Sequence, residues 1–272
     1  MSVINTNVKS IMAQNALTTN NRALSKAMEQ LSTGKRINSA ADDAAGLAIT
    51  SRMQAQIRGL NQGVRNANDA ISMMQTAEGA TKEVSNMLER MRELAVQAAN
   101  DTYATEDRSA IKVEIDELEA EITRIAENTL WNGKAVLKDG DTYEFQVGAG
   151  DDSGSMVDVT MEIMDASSLS VNGLTVDTHA NAQTTIGALD DAIGVVDEFR
   201  ATLGAKINRM TSAAENLSNI SMNTAASRSR IEDADYALAT TELARTQIIQ
   251  QAATAMLAQA NQQPQAVLSL LK

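Results

Sequence analysis

Residues 53–98, MQAQIRGLNQGVRNANDAISMMQTAEGATKEVSNMLERMRELAVQA, decide how the rest of the chain is read. Apolar residues recur at Met53, Ile57, Leu60, Val64, Ala67, Ile71 and Met74, alternating steps of four and three, which is the seam of a coiled coil. The seam resumes at Ala77, Ala80, Val84, Met87, Met91, Leu94 and Ala98. Met74 to Val84 is a heptad plus three, so one stammer interrupts the repeat. At 1.5 Å per residue such a helix is roughly 70 Å long. A compact chain of this size has a radius of gyration of about 19 Å, so the expectation is an elongated molecule.

Working outward, Asn100 and Asp101 end this helix, and Thr105 with Glu106 and Asp107 is expected to cap another that carries Ile111, Ile115, Leu118, Ile122 and Ile125. Trp131-Asn132-Gly133 stops it with a turn. The period then changes to two, at Tyr143, Phe145 and Val147 and again at Val157, Val159, Met161 and Ile163, with the polar run Gly148 to Gly154 between. These read as short strands joined by a loop. Asn172-Gly173 marks a further turn, and Thr184 or Thr185 is expected to cap the last helical region.

That region repeats every seven residues at Leu189, Val196, Leu203, Met210, Leu217, Thr224, Ile231 and Leu238, accompanied by Ile186, Ile193, Ile207 and Ala214. It supplies a partner seam for the Met53 helix. Ser229 and Glu232 have capping-box spacing, which predicts a hinge there. The N-terminal segment carries its own seam, Leu17, Asn21, Leu24, Met28 and Leu31, closed by Gly34. The fold class follows: mainly α, an elongated bundle of long coiled-coil helices with N- and C-terminal segments paired, plus a small β hairpin or sheet in the middle. Isolated end helices of this kind are marginal in water, so the ends are expected to bury against other copies, through residues such as Leu17, Leu24, Leu31, Leu238 and Ile248.

Composition agrees with helices rather than a globule built on large rings. Six aromatic residues serve all 272, and the single proline, Pro264, is near the C-terminus. With no cysteine, disulfides, thiol catalysis and thiolate metal sites are excluded. The net charge of −12 opposes nucleic-acid binding. Residues 1–52 hold six Lys/Arg against three Asp/Glu, whereas residues 101–198 hold five against twenty-two, so the middle is the part expected to face solvent. No stretch approaches the roughly 20 apolar residues of a membrane span, and Met1 to Ser10 lacks the charge and apolar core of a cleavable signal.

No constellation of residues suggests catalysis, a cofactor or a metal. His179 is the sole histidine and has no nucleophile motif beside it. Gly148, Gly150 and Gly154 miss the dinucleotide-binding spacing. Asp139, Asp141, Asp151 and Asp152 lack the order of oxygens of a calcium loop, and Glu114, Asp116, Glu117, Glu119 and Glu121 read as a solvated helix face. The methionines at 53, 74, 87, 91 and 210 read as core filler.

The two ends of the chain carry a resemblance. Ile4-Asn5-Thr6-Asn7 and LSTGKRINSAADDAAGLAI at 31–49 resemble the N-terminus of the bacterial flagellins. SRIEDADYALA at 229–239 and ELARTQIIQQAATAMLAQANQQPQAVLSLL at 242–271 resemble their C-terminus, and RMRELAVQAAN at 90–100 and Asn132-Gly133 extend the likeness. The resemblance implies a self-assembling subunit of the flagellar filament, not an enzyme, located outside the cell and exported without signal cleavage. It implies that residues 1–40 and 229–272 form an inner tube, 41–137 and 184–228 a surrounding long-helix layer, and 138–183 a short variable region on the outer face, dispensable for the shaft.

The implied partners are further copies of the chain, the flagellar export apparatus, a flagellin chaperone, and the filament cap and hook-junction proteins. Some members are recognised by Toll-like receptor 5, and the matching positions are Arg90, Leu94 and Glu114, with Glu89 where the enteric pattern has Gln. Two other readings share part of this pattern: a hook-filament junction protein, which has a similar N-terminus, and an intracellular coiled-coil scaffold, which the heptads alone allow.

Overall fold

The protein is described by a computed structural model over residues 6–269, with residues 153 and 263–269 defined by their backbone only; residues 4, 5, 270 and 271 of the terminal motifs lie outside the described residues. Five helices account for most of it: α1 (Val8–Thr33), α2 (Ala44–Ala98), α3 (Thr105–Asn128), α4 (His179–Glu232) and α5 (Tyr236–Ser269). Between α3 and α4 lie two antiparallel hairpins, β1 (Leu130–Trp131) with β2 (Lys134–Ala135), and β3 (Thr142–Gln146) with β4 (Met156–Thr160). The chain divides into two compact units, one of residues 1–55 with 222–272, the other of residues 56–221.

In the 56–221 unit one apolar core draws on α2, α3, α4 and the middle segment. Val84, Leu88, Met91, Ile115, Ile122, Leu189, Val196, Leu203 and Met210 are all buried in it. Helices α2 and α4 are antiparallel there, since Arg92 pairs with Asp190 at one end and Ser221 donates to Asn61 Oδ1 at the other. Along α2, Ile57 and Leu60 are also buried, whereas Met53, Val64 and Ile71 are half-buried. On α4 Leu217 is half-buried against the core.

The companion positions of the α4 repeat differ from the sequence reading by one residue. Ala192 and Phe199, each 1% exposed, fill the core between Leu189, Val196 and Leu203, while Ile186, Ile193 and Ile207 pack at its margin. Steps of three and four from Leu189 reach Ala192 and Phe199, and the register of Ile193 would place Arg200 in the seam.

Helix boundaries also shift, each for a local reason. Helix α4 starts five residues before Thr184, because Thr178 Oγ1 accepts the Asn181 N–H and the Thr178 carbonyl accepts that of Ala182. The buried Thr185 is not a cap; its hydroxyl donates to the Thr175 carbonyl, 2.8 Å. Helix α3 is capped by Asp107, which accepts the Ala104 N–H at 3.1 Å, rather than by Thr105. The end of α2 is met from α3, where Arg108 donates to Ala98 O and, just beyond the helix, to Asn100 O. The break between α4 and α5 falls at residues 233–235, after Glu232, and Asp235 Oδ1 caps α5 by accepting from Ala237 and Leu238.

Both central residues of the β1/β2 turn have positive φ, Asn132 at 48° and Gly133 at 80°, the conformation a two-residue hairpin requires. The β3/β4 register pairs Tyr143 with Val159 and Phe145 with Val157, so the period-two residues share one face turned to the core. Ile163 departs from it: the chain turns after Met161, Ile163 is 37% exposed and Met164 is buried instead. The hairpin is held from both sides, by Asn66 donating to Gln146 O at 2.8 Å and by Lys206 donating to Asp158 O at 2.7 Å. Its loop lies so close to α2 that a Cβ on Gly63 would stand 2.5 Å from the Val147 carbonyl oxygen and one on Gly59 2.9 Å from Ala149 Cβ. The loop is therefore a packed part of the core unit, and glycine is required on α2 to admit it.

Candidate interaction surfaces

Helices α1 and α5 pack antiparallel through small and polar side chains. Asn7 Oδ1 caps α1 by accepting the Ser10 N–H, and Gly34, at φ 71°, ends it with its N–H on Gln30 O. Along the contact face Ala27 and Ala239 are buried, and Asn20 donates to the Thr246 carbonyl at 2.8 Å, with both residues buried. Asn7 reaches Ala260 O, Ser10 reaches Asn261 and Gln250 reaches Asn21, which gives the pair one register. The buried amide of Asn20 fixes that register, since sliding by one turn would strand it without an acceptor.

The predicted α1 seam is thereby corrected. Leu17, Leu24 and Leu31 are half-buried, but the buried positions between them are Asn20 and Ala27, not Asn21 and Met28, and Met28 is 56% exposed. A second correction concerns Leu238. It lies beyond the break at residues 233–235, so the α4 heptad does not continue into it, and it is 71% exposed. Ile248, 66% exposed, also faces away from α1.

The fully buried positions of the pair are small or polar, and several large apolar side chains are left on the outside. Val8, Ile11, Met12 and Met28 on α1, and Leu238, Ile248, Ile249 and Met256 on α5, are all at least 40% exposed. On α5, Leu238, Arg245, Ile249 and Met256 recur at spacings of seven, four and seven, which aligns them in one stripe along the helix. An apolar surface of this extent on otherwise polar helices is what a partner covers.

The connection after α1 is tied to the α4–α5 break. Lys35 and Asp233 form an antiparallel bridge, Arg36 N–H donates to Glu232 O at 2.7 Å, Ala234 N–H donates to Gly34 O at 2.9 Å, and Lys35 Nζ pairs with Glu232. Asp42 holds the rest of the segment. It accepts from Lys26 Nζ at 2.8 Å and from the N–H groups of Ser39 and Asn38, and the ammonium foremost lowers its carboxyl to about 2. Next to it, Asp43 Oδ1 caps α2 by accepting the Gly46 N–H.

A second exposed feature lies on α2 and α3. Arg90 donates to Glu114 Oε1 through Nε at 3.1 Å and Nη2 at 2.9 Å, and to Glu93 through Nη1 at 3.0 Å. The two carboxylates hold its guanidinium above the usual range; Arg90 and Glu114 remain about half exposed and Glu93 more so. Leu94 is different: at 2% exposed it belongs to the core, as its seam position requires, and its side chain is not available to a partner.

No group of acidic, histidine or cysteine side chains with metal-binding geometry occurs among the described residues, and none of the described helices is long and apolar enough to cross a membrane. His179 Nδ1 lies 2.6 Å from the Ala99 carbonyl, a structural contact at the end of α2.

Comparison with known proteins matches two family profiles. Residues 4–142 match the bacterial flagellin N-terminal helical region and residues 186–271 the bacterial flagellin C-terminal helical region. The chain is 46% identical to a flagellin of Halalkalibacterium halodurans over 99% of its own length and 100% of that protein. It is 40% identical to flagellin FlaB2 of Treponema pallidum, over 99% of this chain and 100% of that one. Among solved structures, Bacillus cereus flagellin is 34% identical and aligns with a TM-score of 0.50 over 56% of this chain and 88% of the other.

Proposed function

The chain belongs to the bacterial flagellin family and is a structural subunit of the flagellar filament, not an enzyme, and from that premise we propose that the outward faces of α1 and α5 are the surface through which subunits join. The observation that carries this reading is the inverted packing of the terminal pair, whose mutual seam uses alanine, asparagine and threonine while Met12, Leu238, Ile248 and Met256 stay exposed. In this arrangement residues 1–40 and 229–272 build the inner tube, residues 41–137 and 184–228 the long-helix layer around it, and residues 138–183 the outer face. The test places charge on the stripe: in the double variant Leu238→Glu with Ile249→Glu, helicity by circular dichroism stays at the native value and filament formation is lost. Filaments of normal yield from that variant would show that the stripe faces solvent in the assembled state.

We infer the remaining partners from the resemblance to flagellins. The subunit leaves the cell through the flagellar export apparatus without signal cleavage, is held beforehand by a chaperone on its C-terminal helix, and is inserted between hook-junction proteins and the filament cap. A filament subunit is favoured over a hook-filament junction protein by identity along the whole chain to flagellins, and over an intracellular scaffold by the same finding.

Arg90 and Glu114 support a second reading, recognition by Toll-like receptor 5, because they present a charged pair on the open face of the long-helix unit. Leu94 contributes to it only by supporting α2 from below. Arg90→Ala is expected to lower receptor activation by the monomer by about tenfold, the effect of one hot-spot contact, with unchanged thermal stability. Equal activation by both proteins would remove the receptor from the partners.

A further inference from the structure

Thirteen of the fourteen methionines lie among the described residues, and their exposure differs between the two units. In the 56–221 unit they are enclosed: Met73, Met74, Met91, Met161, Met164 and Met210 are at most 3% exposed, and Met156, at 37%, is the most open. In the other unit Met53 is half-buried and the remaining described methionines are open, with Met12 at 67%, Met28 at 56%, Met222 at 60% and Met256 at 66%. Met12 and Met256 come from opposite ends of the sequence yet line one groove on the α1/α5 pair, together with Lys9, Ala13, Gln259 and Ala260. The chain has no cysteine, so the exposed sulfur among the described residues is all methionine thioether.

We propose that Met12 and Met256 form an oxidation-sensitive contact, through which hydrogen peroxide closes the free subunit to assembly and sulfoxide reduction reopens it. The inference rests on the reading of the α1/α5 surface as the assembly surface. The chemistry needs peroxide alone. A sulfur lone pair attacks one peroxide oxygen, the O–O bond breaks as the S–O bond forms, and the proton of the transferred oxygen passes to the leaving oxygen, which departs as water. Sulfur loses two electrons and peroxide gains them.

The physical consequence is a change of surface character. A thioether is apolar and flexible, suited to filling an irregular contact between helices, whereas its sulfoxide is a polar, chiral acceptor. Burying two such oxygens without donors weakens a contact by about tenfold or more for each. The enclosed methionines of the core unit react more slowly, because peroxide must wait for local opening. Peroxide therefore alters the joining surface while leaving the folded core intact.

The experiment treats the full-length purified monomer with hydrogen peroxide and follows each methionine by peptide mass spectrometry, then measures seeded polymerisation by light scattering. Sulfoxide is expected at Met12, Met28, Met222 and Met256 at least about tenfold faster than at Met74, Met91 or Met210. The oxidised monomer should keep its helicity but grow filaments about tenfold more slowly or worse, and methionine sulfoxide reductase should restore growth. Met12→Leu with Met256→Leu should polymerise normally and resist peroxide, and Met12→Gln with Met256→Gln should behave as the oxidised protein does. In preformed filaments Met12 and Met256 should be protected. Unchanged growth after oxidation, equal sensitivity of the double leucine variant, or equal oxidation in filament and monomer would each overturn the proposal. Failure of untreated protein to polymerise on seeds would instead overturn the assignment of the assembly surface.

Discussion

Removal of residues 1–40 and 235–272 is expected to leave a soluble, helical monomer that no longer forms filaments. The core of the 56–221 unit draws its buried side chains from residues 67–210, so none of them is lost with the ends. The deleted segments carry Val8, Ile11, Met12, Met28, Leu238, Ile248, Ile249 and Met256, all exposed in the isolated chain. Burying one such side chain against a neighbour contributes about 1.5–3 kcal/mol, and several act at once in each subunit contact. The critical concentration for polymerisation should therefore rise beyond any concentration the monomer tolerates. Electron microscopy and sedimentation decide the matter: native filaments from the truncated chain would place the joining surface in the long-helix unit.

The largest effect on the folded monomer is expected from Phe199→Ala. Phe199 is 1% exposed and is the bulkiest of the fully enclosed side chains, set among Leu189, Val196 and Leu203 on α4 and the facing residues of the core. Its truncation should cost about 3–5 kcal/mol, because the long helices around it cannot collapse into the space. Val195, four residues away on the same helix and 45% exposed, supplies the control. Its change to alanine should stay within about 0.5 kcal/mol. Urea unfolding of the two variants gives the comparison, and a difference below about 1 kcal/mol would mean that the core near Phe199 is loosely packed.

Phe199 also shows where the sequence stops being legible. A seven-residue repeat identifies Leu189, Val196, Leu203 and Met210 without help, since only a helix puts such residues on one line. The companion positions are ambiguous by one residue, because Ile193 and Phe199 are both apolar and a helix face is wide enough for either register. The structure resolves this by placing Ala192 and Phe199 inside. The same ambiguity recurs in α1. There Met28, chosen for hydrophobicity, turns out to be surface, Leu17, Leu24 and Leu31 are only half-buried, and the fully buried positions are Asn20 and Ala27.

That inversion separates the two sources of information. The sequence by itself determined the long helices, the helical ends, the strands confined to the middle and the turn at Asn132-Gly133, because each is set by local periodicity, capping and backbone preference. Its terminal motifs were specific enough to indicate the family. Only the tertiary structure decided which face of each end helix is spent on its partner within the chain and which remains open, since that depends on the distance between two helix axes. Small side chains let α1 and α5 approach closely, and an apolar residue that cannot fit between them is left outside. The same geometric reason governs Gly59 and Gly63, where the Val147–Ala149 backbone rests on α2.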